Sequence, residues 1–142
     1  LLLCTPEGNI SKFMQYFSSQ FVTIINKHNH ADGSLFKDRY KSILIDSTQY
    51  LLQVSRYIHR NPLEAGYVDS LDNYLWSSYK DYVSHRKSFV HTKKILGYFK
   101  NKNEYTDFLY LGLDDETKQF YKDSRTYIFG SNAFIKSLPK PD

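Results

Sequence analysis

At 142 residues, with 41% hydrophobic and 24% charged residues, the chain is long enough for one cored domain with an appendage. Its net charge of +4 favours a polyanionic partner without naming one. The single cysteine excludes a disulfide framework and favours a reducing, cytoplasmic setting. No apolar run approaches the ~20 residues that span a bilayer, so no membrane partner is expected.

Residues 1–5, Leu-Leu-Leu-Cys-Thr, read as a short buried strand with Cys4 an inert interior thiol. Pro6-Glu7-Gly8 is a turn, and Asn9 is a good helix N-cap. Ile10, Phe13, Met14, Phe17, Phe21, Ile24 and Ile25 then recur at helical spacing. That pattern predicts a helix over 10–27 with the stripe turned to the core. His28 and His30, at its end, are expected to be solvated rather than metal-bound.

Residues 39–45 form the next predicted strand, with Ile43, Leu44 and Ile45 its apolar part. Lys37, Arg39 and Lys41 alternate at its start and could share one face. With Tyr40 they suit a phosphate backbone and a base. Asp46 and Gln49 give a capping-box-like signal for a helix over 47–60, which Pro62 and Gly66 end. Residues 67–89 are loop and short turns. There Trp76 with Tyr79 reads as a packing anchor more than a stacking platform. From 90 to about 122 the pattern is helical, with Lys93, Lys94, Lys100 and Lys102 a solvated basic face. Residues 127–131 read as strand and turn, and 132–138 as a last short helix. Low complexity is confined to the Lys-Pro tail.

The 47–60 helix carries the interesting chemistry. With Tyr50 at zero, Gln53 lies near about 300° and Tyr57 near about 340°. Leu51, Val54 and Ile58 cluster between about 40° and 100° and face the core. Tyr50, Gln53 and Tyr57 therefore line the border, Arg60 lies close to that edge, and His59 points away from Tyr50. A phenol at a border can pack its ring and still present its hydroxyl. Such a phenolate can attack a phosphodiester and hold it as a phosphotyrosine ester, once activated from a pKa near 10. Read from the residues alone, Tyr50 is a core or rim tyrosine rather than a nucleophile, and no His-hydrophobic-His strand offers a metal site. Arg56, Arg60 and Asn61 add donors for phosphates, which position DNA without reading its sequence. For Arg39 and Arg56 the competing role is a salt bridge to Asp38, Asp46 or Glu64. For His59 it is a hydrogen-bonded structural role in the Asn-Pro turn.

The motifs resemble, in order, the REP-associated tyrosine transposases and the wider insertion-sequence tyrosine transposases with the HUH fold. The match runs from Leu1-Leu2-Leu3 and Thr5-Pro6-Glu7 to about residue 82. It includes Gly33-x-Leu35-Phe36-x-x-Arg39-Tyr40-Lys41, Tyr57-Ile58-His59-Arg60-Asn61-Pro62, Ala65-Gly66 and Trp76-Ser77-Ser78-Tyr79. Gly130-Ser131-x-x-Phe134 looks like the tail of longer members.

The resemblance implies an α/β (α+β) fold: an antiparallel, ferredoxin-like sheet with helices on one face, over residues 1–85, and a helical extension over 86–142. It implies Tyr50 as the nucleophile, cutting single-stranded DNA beside hairpins to leave a 5′-phosphotyrosine and a free 3′-OH. Mg²⁺ or Mn²⁺ is the implied cofactor, with Gln53 assisting two histidines. The resemblance places those histidines just before Leu1. The chain is therefore expected to be a piece of a whole enzyme or a decayed relative, and to cut little by itself. Lys37, Arg39, Tyr40, Lys41, Arg56, Tyr57, His59, Arg60 and Asn61 are the implied DNA contacts. A homodimer is compatible with the family. The alternative is a DNA-binding module that no longer cuts; an interaction domain unrelated to DNA rests on composition alone.

Overall fold

The computed structural model describes residues 1–46, 48–84, 86–123 and 127–139. Its elements in chain order are α1 (Ile10–Asn29), β1 (Leu44–Ile45), α2 (Thr48–Glu64), a 3-10 turn (Leu71–Asn73), α3 (Tyr79–Val83), α4 (Lys93–Leu96), α5 (Lys102–Tyr110), α6 (Asp115–Lys122), β2 (Ile128–Phe129) and α7 (Asn132–Ser137). The class is mixed α/β and mostly helical. Two compact units divide between Ser42 and Ile43: Leu2–Ser42 forms one, and the residues from Ile43 on, with Leu1, form the other.

The smaller unit is α1 with its flanking loops. The helix runs two residues past its predicted end and stops at His30, which adopts a left-handed conformation (φ 51°). The backbone N–H of Ala31 closes the end on Asn26 O at 3.0 Å. The Asn26 side chain donates to Gly33 O at 2.9 Å and fixes the following loop. Asn9 holds the N-cap position without capping; its amide donates to Glu7 instead. The predicted stripe is present, but it is not a core. Phe13, Phe17 and Phe21 each remain about 40% exposed, and no α1 residue is buried. They form a ladder of rings, Phe13 to Phe17 at 5.9 Å and Phe17 to Phe21 at 6.3 Å, extended by Phe36 at 6.1 Å.

Residues 1–5 are not a strand, and Cys4 is exposed rather than interior. The strand predicted over 39–45 contracts to Leu44–Ile45. A strand persists only where its N–H and C=O groups find a partner. Here that partner is β2. It lies parallel to β1, with Leu44 opposite Ile128 and Ile45 opposite Phe129. Leu44 N donates to Tyr127 O at 2.8 Å, and Asp46 N to Phe129 O at 2.9 Å. The sheet among the described residues is thus two-stranded and parallel, where an antiparallel one was expected.

The larger unit is built around α2, which packs on the 3-10 turn, α4, α5 and α6. Helices on both sides of residue 85 therefore share one core. It contains Val54, Leu71, Tyr79, Tyr82, Ile95, Tyr105, Leu109 and Phe129. Each fully buried leucine, such as Leu71 or Leu109, contributes about 1.5–3 kcal/mol. The expected single helical run from 90 to 122 is three helices, the last two with their own side-chain caps. Asn101 Oδ1 accepts from Glu104 N at 2.9 Å to open α5, and Asp114 Oδ1 accepts from Thr117 N at 2.7 Å to open α6. Gly112, at φ 85°, turns the chain between them.

Pro62 lies inside α2 rather than ending it. Proline removes one N–H of the ladder, a defect tolerated here because it falls in the last turn. The stop is Gly66, at φ 70°. Gly66 N bonds Leu63 O at 3.0 Å and Tyr67 N bonds Pro62 O at 2.9 Å, the paired closure of a Schellman motif. Ser47, the expected first residue of the helix, and the Lys-Pro tail at 140–141 lie outside the described residues.

Candidate active site on helix α2

The site begins at the junction of β1 and α2. Asp46 follows β1, and its Oδ2 accepts from Ser131 N at 3.0 Å and Ser131 Oγ at 2.8 Å. Gly130 is required there: a Cβ would overlap the Asp46 side chain and come within 2.8 Å of Phe134 Cδ1. Thr48 and Tyr98 join hydroxyls at 3.1 Å at the first turn. These contacts fix the start of the helix that holds Tyr50.

Tyr50 is half-buried, as its border position predicts. Its ring stands edge-on to Phe129, with centroids 4.8 Å apart and planes at 76°. Its hydroxyl donates to Glu116 Oε1 on α6 at 3.3 Å. Burial, then the charges and hydrogen bond of Glu116, then Asp46, push the phenol above its ordinary pKa. At neutral pH it is therefore a protonated hydroxyl aimed at a carboxylate.

Gln53 lies one turn on, but its carbonyl oxygen accepts from Arg56 Nη2 at 2.5 Å. The atom that would ligate a metal is thus held by a cation. Among the described residues no group of three or more His, Cys, Asp or Glu side chains converges on a metal position. Among the described residues, the side chains around Tyr50 and Gln53 do not make up a divalent-metal site.

Arg56 is buried, not presented to solvent. Its guanidinium lies over the Phe108 ring at 4.1 Å and reaches Asp114 Oδ2 at 3.7 Å. Its ion-pair partner is therefore Asp114, which replaces the three acids expected from the sequence. Burial lowers the Arg56 pKa, and Asp114 opposes that shift. For Asp114, burial raises the pKa, but the Thr117 hydrogen bonds and the Arg56 charge outweigh it and hold the carboxyl below its usual range.

Tyr57 stacks on Tyr121 with centroids 3.5 Å apart and planes 3° from parallel. Burial and the neighbouring Tyr57 push the Tyr121 phenol up to about 12. An aromatic path runs from Tyr50 through Phe129 to Phe120 and Tyr121 and on to Tyr57.

His59 is 3% exposed and uses both ring nitrogens: Nδ1 meets Tyr105 Oη at 2.8 Å and Nε2 meets Ser78 Oγ at 2.9 Å. Tyr105 Oη also meets Ser55 Oγ at 2.7 Å. This is the hydrogen-bonded structural role, and it leaves no His59 surface for DNA. Arg60 bonds Glu64 through Nη2 at 2.7 Å and Leu109 O through Nη1 at 2.8 Å, which ties the end of α2 to α5. Asn61 is exposed.

Tyr50, Gln53, Arg56, Tyr57, His59, Arg60 and Asn61 are thus gathered on one helix, with Arg56 and His59 facing inward. Lys37, Arg39, Tyr40 and Lys41 belong to the other unit. There they are exposed in irregular backbone, with Tyr40 Oη 2.9 Å from Ser11 Oγ. The alternation that would put the three cations on one strand face has no strand to carry it. Trp76 is 86% exposed, so it is not the packing anchor; Tyr79, 3% exposed, is. Glu116 and Phe129 had no sequence signal tying them to Tyr50. The Asp114-Asp115-Glu116-Thr117 pattern marks a helix start, which could have placed Glu116 in a first turn. Compared with family models, with curated proteins and with solved structures, the chain matches none.

Proposed function

We propose that this chain is part of a single-stranded DNA nicking and strand-transferring enzyme whose nucleophile is Tyr50. The observation that carries the reading is Tyr50 itself. It stands in the first turns of the helix that follows β1, half-buried, its ring packed on Phe129 and its hydroxyl bonded to the exposed Glu116. That placement fits the ordered transposase-like motifs around it. Attack by the phenolic oxygen would leave a 5′-phosphotyrosine and a free 3′-OH at a hairpin-flanking, REP-like site. Exposed Lys37, Arg39 and Lys41 would neutralise phosphates, and exposed Trp76 and Tyr40 have faces on which bases can stack.

The same reading includes a cytoplasmic setting, a homodimer and an antiparallel ferredoxin-like sheet. It includes Mg²⁺ or Mn²⁺ as the metal, held by the pair of histidines that the resemblance implies. No helix among the described residues is long and apolar enough to cross a membrane.

A second reading, a DNA-binding module that does not cut, draws on two observations. Burial, then the carboxylates of Glu116 and Asp46, make the Tyr50 phenol harder to ionise, and Arg56 occupies the Gln53 oxygen. The test uses the protein expressed from its whole reading frame, with Mn²⁺ and labelled single-stranded hairpin DNA, beside Tyr50→Phe. A detergent-stable protein–DNA adduct is expected in the wild type and none in the variant. Tight binding with no adduct on any hairpin would select the second reading.

A further inference from the structure

We infer that Glu116 receives the phenolic proton of Tyr50 as its oxygen attacks the phosphodiester. The inference rests on the nucleophile assignment above and adds the base that the assignment lacks. A phenol is a poor nucleophile near neutral pH unless a group beside it accepts the proton during attack. Glu116 Oε1 already accepts the Tyr50 hydrogen bond, at 3.3 Å.

The carboxylate is held in place by the same floor as the phenol. Phe120 of α6 packs on Phe129 at 4.3 Å, and Phe129 supports the Tyr50 ring at 4.8 Å. The N-terminus of α6 is fixed by the Asp114–Thr117 cap, with Thr117 fully buried. Glu116 itself is exposed, so a proton it takes can pass to water. Of the two carboxylates whose charge reaches Tyr50, Asp46 already accepts two hydrogen bonds from Ser131. Glu116 is the one bonded to the phenol.

The step balances without any oxidant or reductant. The Oη lone pair forms the O–P bond, and the Tyr50 proton moves to the Glu116 carboxylate. The bond from phosphorus to the 3′ oxygen breaks, and that oxygen keeps the electron pair and takes a proton from solvent. In strand transfer the order reverses. A 3′-OH attacks phosphorus and loses its proton to solvent, and Tyr50 leaves with the proton returned by Glu116.

Glu116→Gln tests this, because the amide oxygen keeps the hydrogen-bond acceptor and removes the base. Two measurements run together on the full-length protein with Mn²⁺ and hairpin DNA. One is the rate of adduct formation. The other is the ultraviolet titration of Tyr50, taken as the difference from Tyr50→Phe. A base predicts a rate loss of about 10²-fold, while Tyr50 ionises at lower pH because a negative neighbour has gone. These two changes run in opposite directions. Were Glu116 only a charge that suppresses the phenolate, the easier ionisation would raise the rate. A rate in Glu116→Gln equal to or above wild type overturns the inference and leaves Tyr50 as nucleophile. Absence of an adduct in the wild type removes the nucleophile assignment and the inference with it.

Discussion

His59 sits in the interior with a hydroxyl on each ring nitrogen, and that geometry is written for the neutral imidazole. A neutral ring has one N–H and one lone pair, so one hydroxyl accepts and the other donates. Protonation would turn both nitrogens into donors in a site lined by the rings of Tyr79, Tyr82 and Tyr105. Burial pulls the His59 pKa down to about 4, against a smaller upward pull from Asp81. In the unfolded chain it titrates near 6.5. Between these values the unfolded state binds the extra proton, so the His59 contribution is complete above about pH 6.5 and is lost as pH falls towards 4. The loss is on the order of 3 kcal/mol. Urea unfolding at a series of pH values should show it as the difference between wild type and His59→Gln. Parallel pH curves for the two proteins would rule out the buried neutral histidine. The same residue shows why the buried face of α2 was hard to read. Its partners Tyr105 and Ser78 lie 46 and 19 residues away. Periodicity sorts residues by polarity and has no access to a hydroxyl supplied from so far along the chain.

Helix boundaries were more legible than helix faces. Spacing found α1, α2 and α7 to within a few residues, because those signals lie within the segment itself. The face of α2 was only partly legible. Val54 is buried as its apolar angle predicts, but so are Ser55, Arg56 and His59, because several elements cover the helix from more than one side. On α1 the stripe was legible, while its burial was not. At the end of α2 two stop signals competed, and Gly66 is the one that acts. No atom lies within 4 Å of where its Cβ would be, so the cost of a side chain there is purely conformational. Gly66→Ala should lower stability by about 1 kcal/mol, and Gly66→Asn by less, since asparagine tolerates the left-handed region. Equal denaturation midpoints for all three proteins would mean that the Schellman closure contributes nothing.

Across the whole molecule, the site depends on segments that are remote in sequence. Tyr50 and its helix were readable from local pattern, and so were the strand and turn over 127–131, where the strand is Ile128–Phe129. That the strand pairs beside β1 and brings Phe129 under Tyr50 was not, since pairing partners leave no local mark. Gly130→Ala tests this closure. Its Cβ would displace Asp46 or Phe134, and overpacking of this kind costs about 1–3 kcal/mol. It should also loosen Tyr50, so that the hydroxyl titrates closer to the free phenol. A variant with wild-type stability and an unchanged Tyr50 titration would show that the β1–β2 end is not needed to hold the tyrosine.

The bond from Ser131 to Asp46 spans 85 residues. Such a closure forms slowly compared with local helices, because the intervening chain must first be ordered. In a chain synthesised from its N-terminus, the segment carrying Tyr50 therefore leaves the ribosome well before Phe129 does. During that interval the tyrosine would lack its floor, and Glu116 would have no Phe129 against which α6 could seat. The order of translation thus keeps the phenol without its floor until the segment carrying Phe129 has been made.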